Sequence, residues 1–139
     1  MDEWGEAFRR IAEVVYGLPE THEVTKWGKP LWAVRGKQFA WMRPFGKADL
    51  KRFADAGEEP PAGPILAVRT DGLEEKEAIL QSGKSGYFTI EHFKNYPAVL
   101  IALDQADPEE VNASIEDAWL AMAPDELVRE FLDARQRDS

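Results

Sequence analysis

The stretch HEVTKWGKPLWAVRGKQFAWMR, from His22 to Arg43, decides the fold. It reads as two or three short strands with breaks between them. Gly28 admits backbone angles closed to other residues, and Pro30 fixes its own angle and disfavours helix before it. Leu31–Arg35 and Gln38–Met42 flank Gly36-Lys37, a tight hairpin signal. Alternation at period two puts Trp32 and Val34 on one face of the first strand, and Phe39 with Trp41 on one face of the second. The local contacts predict an antiparallel meander with most of its aromatic mass in the core. Trp27 and Trp41 are the rings expected to be partly exposed.

Before the meander, Trp4, Phe8, Ile11, Val15 and Leu18 recur every three or four residues, one apolar stripe of a helix. Asp2 and Glu3 suit the positive end of its dipole, and Gly17 and Pro19 end it. After the meander, residues 44–63 form a loop rich in Pro, Gly and charge, within which KADLKRFADAG has the makings of a helical turn. ILAVRT is an apolar strand. Asp71 with Glu74 has a capping-box pattern and starts a helix to about Gln81, closed by Gly83. YFTIEHFKNYP is irregular. Ala98–Leu103 is nearly all apolar and reads as a strand buried on both faces. Asp107-Pro108-Glu109-Glu110 opens a helix with the stripe Val111, Ile115, Trp119 and Met122. Pro124 opens a last helix, with Leu127, Phe131 and Leu132 inward and a polar tail over about 134–139. The expected fold is a single α+β domain over 1–139. Its mainly antiparallel sheet of about five strands is covered by three to four helices, in the order α-β-β-β-β-α-β-α-α.

The 139-residue chain is long enough for one core, and its 44% apolar and 31% charged residues are those of a globular protein. No apolar run approaches the ~20 residues that span a bilayer, so no membrane association is expected. MDEWGEAFRR lacks the basic-then-apolar order of a signal peptide. With no cysteine there is no disulfide, thiolate site or thiol nucleophile, which fits a reducing cytoplasm.

The net charge of −9 is unevenly spread. Residues 22–52 hold eight basic side chains, Lys26, Lys29, Arg35, Lys37, Arg43, Lys47, Lys51 and Arg52, against Glu23 and Asp49. That block is +6, and the rest, with nine basic and twenty-four acidic groups, is −15. Such a block is either a solvated face or a surface for an anion.

Motifs for catalysis are sparse. SGKSG (Ser82–Gly86) has Ala78 where a phosphate loop needs glycine, and it follows a helix instead of opening one, so it reads as a helix-ending turn. His22 and His92 are seventy residues apart with no cysteine to join them in a metal site. No G-x-S-x-G elbow occurs. His92, between Phe88, Phe93 and Tyr96, reads as a packed histidine. The carboxylates read as caps and solvated helix faces. The expectation is a protein without catalytic residues, metal or cofactor.

The run Trp27-Gly28-Lys29-Pro30, Val34 and Gly36-Lys37-Gln38-Phe39-Ala40 resembles the MmcQ/YjbR-like family, with Trp32 where Phe is commoner. Leu18-Pro19-Glu20, YFTIEHFKNYPAVLIAL (Tyr87–Leu103) and IEDAWLAMAP (Ile115–Pro124) continue the resemblance in the family's order. It implies a small "double wing" domain whose β-hairpins were proposed to contact DNA, with no cofactor or catalytic set. One departure stands out. The family often has a basic pair after Ala-Pro, and here Asp125 and Glu126 follow Pro124.

Two functional expectations follow. One is DNA contact through phosphates by Lys29, Lys37, Arg43 and Lys47, opposed by the net charge. The other is a protein- or small-anion-binding groove among Trp27, Lys29, His92, Lys94 and Tyr96, made of irregular, aromatic and polar segments.

Overall fold

The computed structural model describes residues 5–138, so Trp4 and the acidic pair Asp2 and Glu3 lie outside the described residues. Helix α1 (Gly5–Tyr16) leads into strands β1 (Thr21–Lys26), β2 (Lys29–Val34) and β3 (Lys37–Met42). Then come α2 (Lys47–Asp55), β4 (Ile65–Arg69), α3 (Gly72–Gln81), the two-residue β5 (Tyr87–Phe88) and a 3₁₀ turn (Glu91–Phe93). Strand β6 (Ala98–Ala102) and helices α4 (Pro108–Met122) and α5 (Asp125–Asp138) complete the fold. The six strands form one antiparallel sheet in the order β1-β2-β3-β4-β6-β5. The α+β class is as the sequence predicts; the sheet has one strand more than expected, β5, and 47–55 is a full helix.

Both meander turns are two-residue loops with two left-handed residues. Trp27 and Gly28 have φ of 55° and 74°, and Arg35 and Gly36 have 46° and 81°. This is the signature of the type I′ turn, whose twist matches that of paired strands. The second turn is thus Arg35-Gly36, one residue before the expected Gly36-Lys37, and Lys37 begins β3.

The sheet separates two cores. On the first face, Trp32, Val34, Phe39, Ala40, Met42, Leu66, Val68, Val99 and Ile101 meet the stripes of α1, α4 and α5. Trp32 and Trp119 are fully buried here. Each indole nitrogen has a partner, as buried Trp requires. Trp32 Nε1 donates to Glu23 at 3.1 Å and Trp119 Nε1 to the Pro19 carbonyl at 3.0 Å. The smaller second core joins Ile65, Ala67, Ala98, Leu100 and Ala102 to Phe93, with Trp41, Phe45, Phe88 and Ile90 packed around them. Strand β6 is buried along its whole length, serving both cores.

Phe39 and Trp41 do not share a face. Ala33 pairs with Gln38, but Trp32 pairs with Ala40, so the register shifts by one and Phe39 is left without a partner across the ladder. This β-bulge lets Phe39 and Ala40 both join the first core and turns Trp41 to the second. Two smaller expectations also change. Leu132 is exposed, because α5 meets the core through Leu127, Val128 and Phe131. The segment expected as a polar tail continues α5 to Asp138, and Arg135 bonds Glu116 of α4 and lies over the Phe131 ring.

The helix starts follow their sequence signals in part. Asp107 caps α4, its carboxylate accepting from the Glu109 N–H, with Pro108 at the first position. Asp71 makes no side-chain cap on α3. Its own N–H donates instead to Glu75 at 2.9 Å.

Candidate functional site: an aromatic cleft and a lysine-flanked hairpin tip

The second face of the sheet is only half covered. The loop bearing α2 and the 3₁₀ segment lie over the β4–β6–β5 side, leaving the β1–β2 hairpin bare. Cross-strand partners share a face. Leu31 pairs with Trp41, and Trp41 with Ala67 of the second core, so Leu31, Lys29 and their β1 partners Val24 and Lys26 face the same way as Trp41. Lys26 and Lys29 stand directly opposite each other at the hairpin end. Between them, at the tip, Trp27 is 86% exposed.

Where the bare strip meets the covered half lies a cleft of about 300 Å³ lined by Gln38, Trp41, Arg43, His92, Phe93 and Tyr96. Three rings form its apolar part. Trp41 lies 6.3 Å from both Phe93 and Tyr96, and Phe93 meets Tyr96 edge-on at 5.7 Å. These are favourable offset and edge geometries. Tyr96 remains 41% exposed.

The cleft is held from beneath. Lys76, on α3, is 4% exposed, and its ammonium donates to the carbonyls of Phe93 and Tyr96, at 2.8 Å to the latter. Burial pushes its pKa below the usual lysine range. Arg69 donates to the Pro97 carbonyl at 3.1 Å and lies 5.1 Å over the Tyr96 ring. The 93–97 segment, irregular in sequence, is thus pinned by two cations at its carbonyls.

The rim carries charge that is partly spent. Arg43 lies 5.6 Å over Phe93 and pairs with Asp49 at 3.0 Å. Asp49 also accepts from the Gly46 N–H at 2.9 Å, fixing the start of α2. Burial opposes ionisation of Asp49, but the Gly46 N–H, Arg43 and, more distantly, His92 outweigh it and hold the carboxyl below its ordinary value. His92 is exposed and touches the Phe93 ring at 6.1 Å, so it is a rim residue and not the packed histidine expected.

The sequence-derived groove residues fall in two places. His92 and Tyr96 line the cleft. Trp27 and Lys29 lie on the same sheet face, toward the hairpin tip, and Lys94 is exposed on the 93–97 segment outside the cleft lining. The four residues expected at DNA are not one patch. Lys29 and Arg43 share the second face. Lys37 pairs with Val34 of the first core, at the opposite end of the hairpin. Lys47 is exposed at the start of α2. Of the eight basic groups in 22–52, Arg35 pairs with Glu20 and Glu126, Arg43 with Asp49, and Lys51 with Asp55. Lys26, Lys29, Lys37, Lys47 and Arg52 have no ion pair among the described residues. The acidic residues after Ala-Pro have a use here, since Glu126 takes Arg35 at 3.1 Å.

Sequence reasoning missed Lys76, Asp49, Gln38, and the cleft roles of Trp41 and Phe93. Lys76 had a signal, because it occupies the stripe Leu73, Lys76, Ile79, Leu80 at helical spacing. Among the described residues no group of three His, Asp or Glu side chains could hold a metal ion, and no helix is long and apolar enough to cross a membrane.

Comparison with known proteins agrees with the sequence signature. The family described as YjbR matches residues 16–121, a span that includes the sheet, the cleft and most of α4. An uncharacterized protein of Mycobacterium tuberculosis is 39% identical over 122 residues, covering 88% of this chain and 92% of its own length. An uncharacterized protein of Mycobacterium bovis matches with the same identity and coverage. No solved structure matches significantly. The order of motifs, the family match and these relatives together place the chain: it belongs to the YjbR family.

Proposed function

We propose that this chain is a non-enzymatic module that contacts nucleic acid, DNA above all, through the bare half of the sheet's second face. One observation carries the reading: Trp27 stands in solvent at a hairpin tip, flanked by Lys26 and Lys29, two cations with no ion-pair partner among the described residues. A tight type I′ turn holds that tip out from the domain. The ring has no packing role there to account for it, since the cores lie elsewhere.

The acidic net charge is less of an obstacle than its size suggests. Helices α4 and α5 together carry nine acidic against three basic side chains, −6, and both pack on the first face. The field is therefore polarised across the sheet, with the lysine pair on the side away from those helices. At ordinary ionic strength, charges beyond about 8–10 Å are largely screened. Phosphate contact would come from Lys26 and Lys29, with Arg43 contributing only what Asp49 leaves free.

Fluorescence anisotropy with labelled DNA at low and moderate salt tests the proposal. Binding that weakens with salt is expected, and replacing Lys29 by Gln should flatten the log–log salt slope by about 0.7 to 0.9, the contribution of one phosphate contact. Absence of binding even at low ionic strength would sink the reading.

A second reading, binding of a small anion, is favoured by the cleft itself. Its volume of about 300 Å³ is that of a small ligand site, with Arg43 and His92 at an aromatic floor. A small anion seated there would raise Tm with concentration, by mass action, and His92→Ala would remove the effect. No shift with inorganic phosphate or an aromatic carboxylate would count against it.

A further inference from the structure

Resting on the nucleic-acid reading, we infer that the strand this face takes is single: unpaired bases stack on Trp27 at the hairpin tip and at the Trp41–Tyr96 edge of the cleft, with Lys26 and Lys29 on the backbone between.

The first argument is the kind of contact on offer. A duplex hides its bases and presents phosphates, so affinity for it rises with the number of cations that reach the backbone. This face offers few: Lys26 and Lys29 are free of ion pairs, while Arg43 is held by Asp49. What it offers instead is aromatic surface. Trp27 is almost wholly in solvent, and Tyr96 is exposed beside a half-buried Trp41. A ring stacked on a base contributes about 1–3 kcal/mol whatever the base, and only an unpaired base can supply the partner face.

The second argument is spacing. Trp27 lies three residues beyond Val24, which pairs with Leu31, itself the cross-strand partner of Trp41. At a rise of ~3.3 Å per residue, the tip ring lies ~10 Å along the strand from the cleft. That is about three steps of a stacked strand at ~3.4 Å each. Lys26, Lys29, Val24 and Leu31 line the interval on one face. The strip is therefore one strand wide, charged along its length, and has a stacking surface at each end.

The test measures anisotropy of labelled oligo(dT), oligo(U), a duplex of equal length and an abasic strand, using the full chain. Oligo(dT) or oligo(U) should bind at least tenfold more tightly than the duplex and than the abasic strand; whichever homopolymer is preferred identifies DNA or RNA as the source. Trp27→Asn should weaken oligomer binding by about 5- to 150-fold, the loss of one stacked base, while leaving abasic binding unchanged. Asn accepts the left-handed backbone of the turn, so the variant keeps the hairpin, and Trp27→Phe should restore most of the affinity. A duplex bound more tightly than single strands, an abasic strand bound as well as oligo(dT), or an unaffected Trp27→Asn overturns the inference and leaves phosphate contact standing. Failure of every nucleic acid to bind at low salt overturns both.

Discussion

Trp27 and Trp32 lie five residues apart on one hairpin, and they meet opposite surroundings. Trp32 has no exposed surface and packs against Phe8 of α1 at 5.7 Å, its nitrogen held by Glu23. Trp27 has almost nothing around it. The same contrast divides the whole sheet. The first face is covered by α1, α4 and α5, with Ile79 and Leu80 of α3 at its margin, and buries most of the large side chains. The second is covered for half its width by short segments, which rely on polar anchors such as Lys76 and Asp49 in place of apolar mass. A face that has completed its core has no surface left for a partner; one closed by a few specific bonds leaves rings and cations at its margin.

Substitutions should separate the two faces by energy. The largest effect belongs to the helical face. Trp119→Ala should cost about 3–5 kcal/mol in chemical denaturation, the range for emptying an aromatic site, and it also strips the Pro19 carbonyl of its donor. A cost below about 1 kcal/mol would break the comparison, because the helical face would then not be the principal core.

Next is the anchor of the second face. Lys76→Met keeps the aliphatic stem and removes the donors from the carbonyls of Phe93 and Tyr96. A loss of about 1.5–3 kcal/mol is expected, as for hydrogen bonds from a charged group. Amide exchange in residues 91–97 should accelerate far more than exchange in β6. Uniform acceleration would mean that Lys76 stabilises the fold as a whole and does not pin one segment.

Asp49→Asn should cost about 1 kcal/mol near neutral pH, through loss of the charged pair with Arg43, since the amide oxygen can still accept from the Gly46 N–H. Here the sign of the pH dependence is informative. The folded carboxyl is held below its ordinary value, so its stabilisation is present above the unfolded carboxyl pKa and is lost as pH falls through the folded one. The gap between the native chain and Asp49→Asn should therefore close in acid. A gap that stays constant to low pH would show that ionisation of Asp49 is irrelevant.

The smallest effect on stability sharpens the comparison most. Trp27→Asn should change unfolding free energy by no more than about 0.5 kcal/mol, as for an exposed site with no packing. A larger loss would mean that the tip ring supports the fold after all.

How much of this was legible in the sequence depended on whether a signal was local. The Asp107-Pro108 start of α4, the apolar β6 and the meander all rest on neighbouring residues, and all were readable. The exposure of Trp27 was readable for the same reason, since WGKP announces a turn. The cleft was not, because its members are brought together by pairing across strands: Trp41 meets Tyr96 only once β3, β4 and β6 are in register. The burial of Lys76 was hidden by its charge, although its helical position pointed inward. Arg43 and Asp49 meet around a loop, and no periodicity reports such a contact. The expected patch of Lys29, Lys37, Arg43 and Lys47 came from proximity in sequence, and a hairpin sends successive residues to opposite ends and faces.

The unpaired Phe39 has a consequence for how this domain can vary. Ahead of it, the alignment of β3 with β2 is dictated by the Arg35-Gly36 turn; beyond it, the register shifts, and pairing with β4 joins in fixing the strand from Ala40 onward. The extra residue works as a slip joint between two independently indexed halves. Changes in the Arg35-Gly36 turn, outboard of Phe39, can be absorbed there while Trp41 and Arg43 keep their place in the cleft. The Arg35-Gly36 end of the meander is thereby free to change without disturbing the register that sets the cleft and, at the other end of β2, the Trp27 tip.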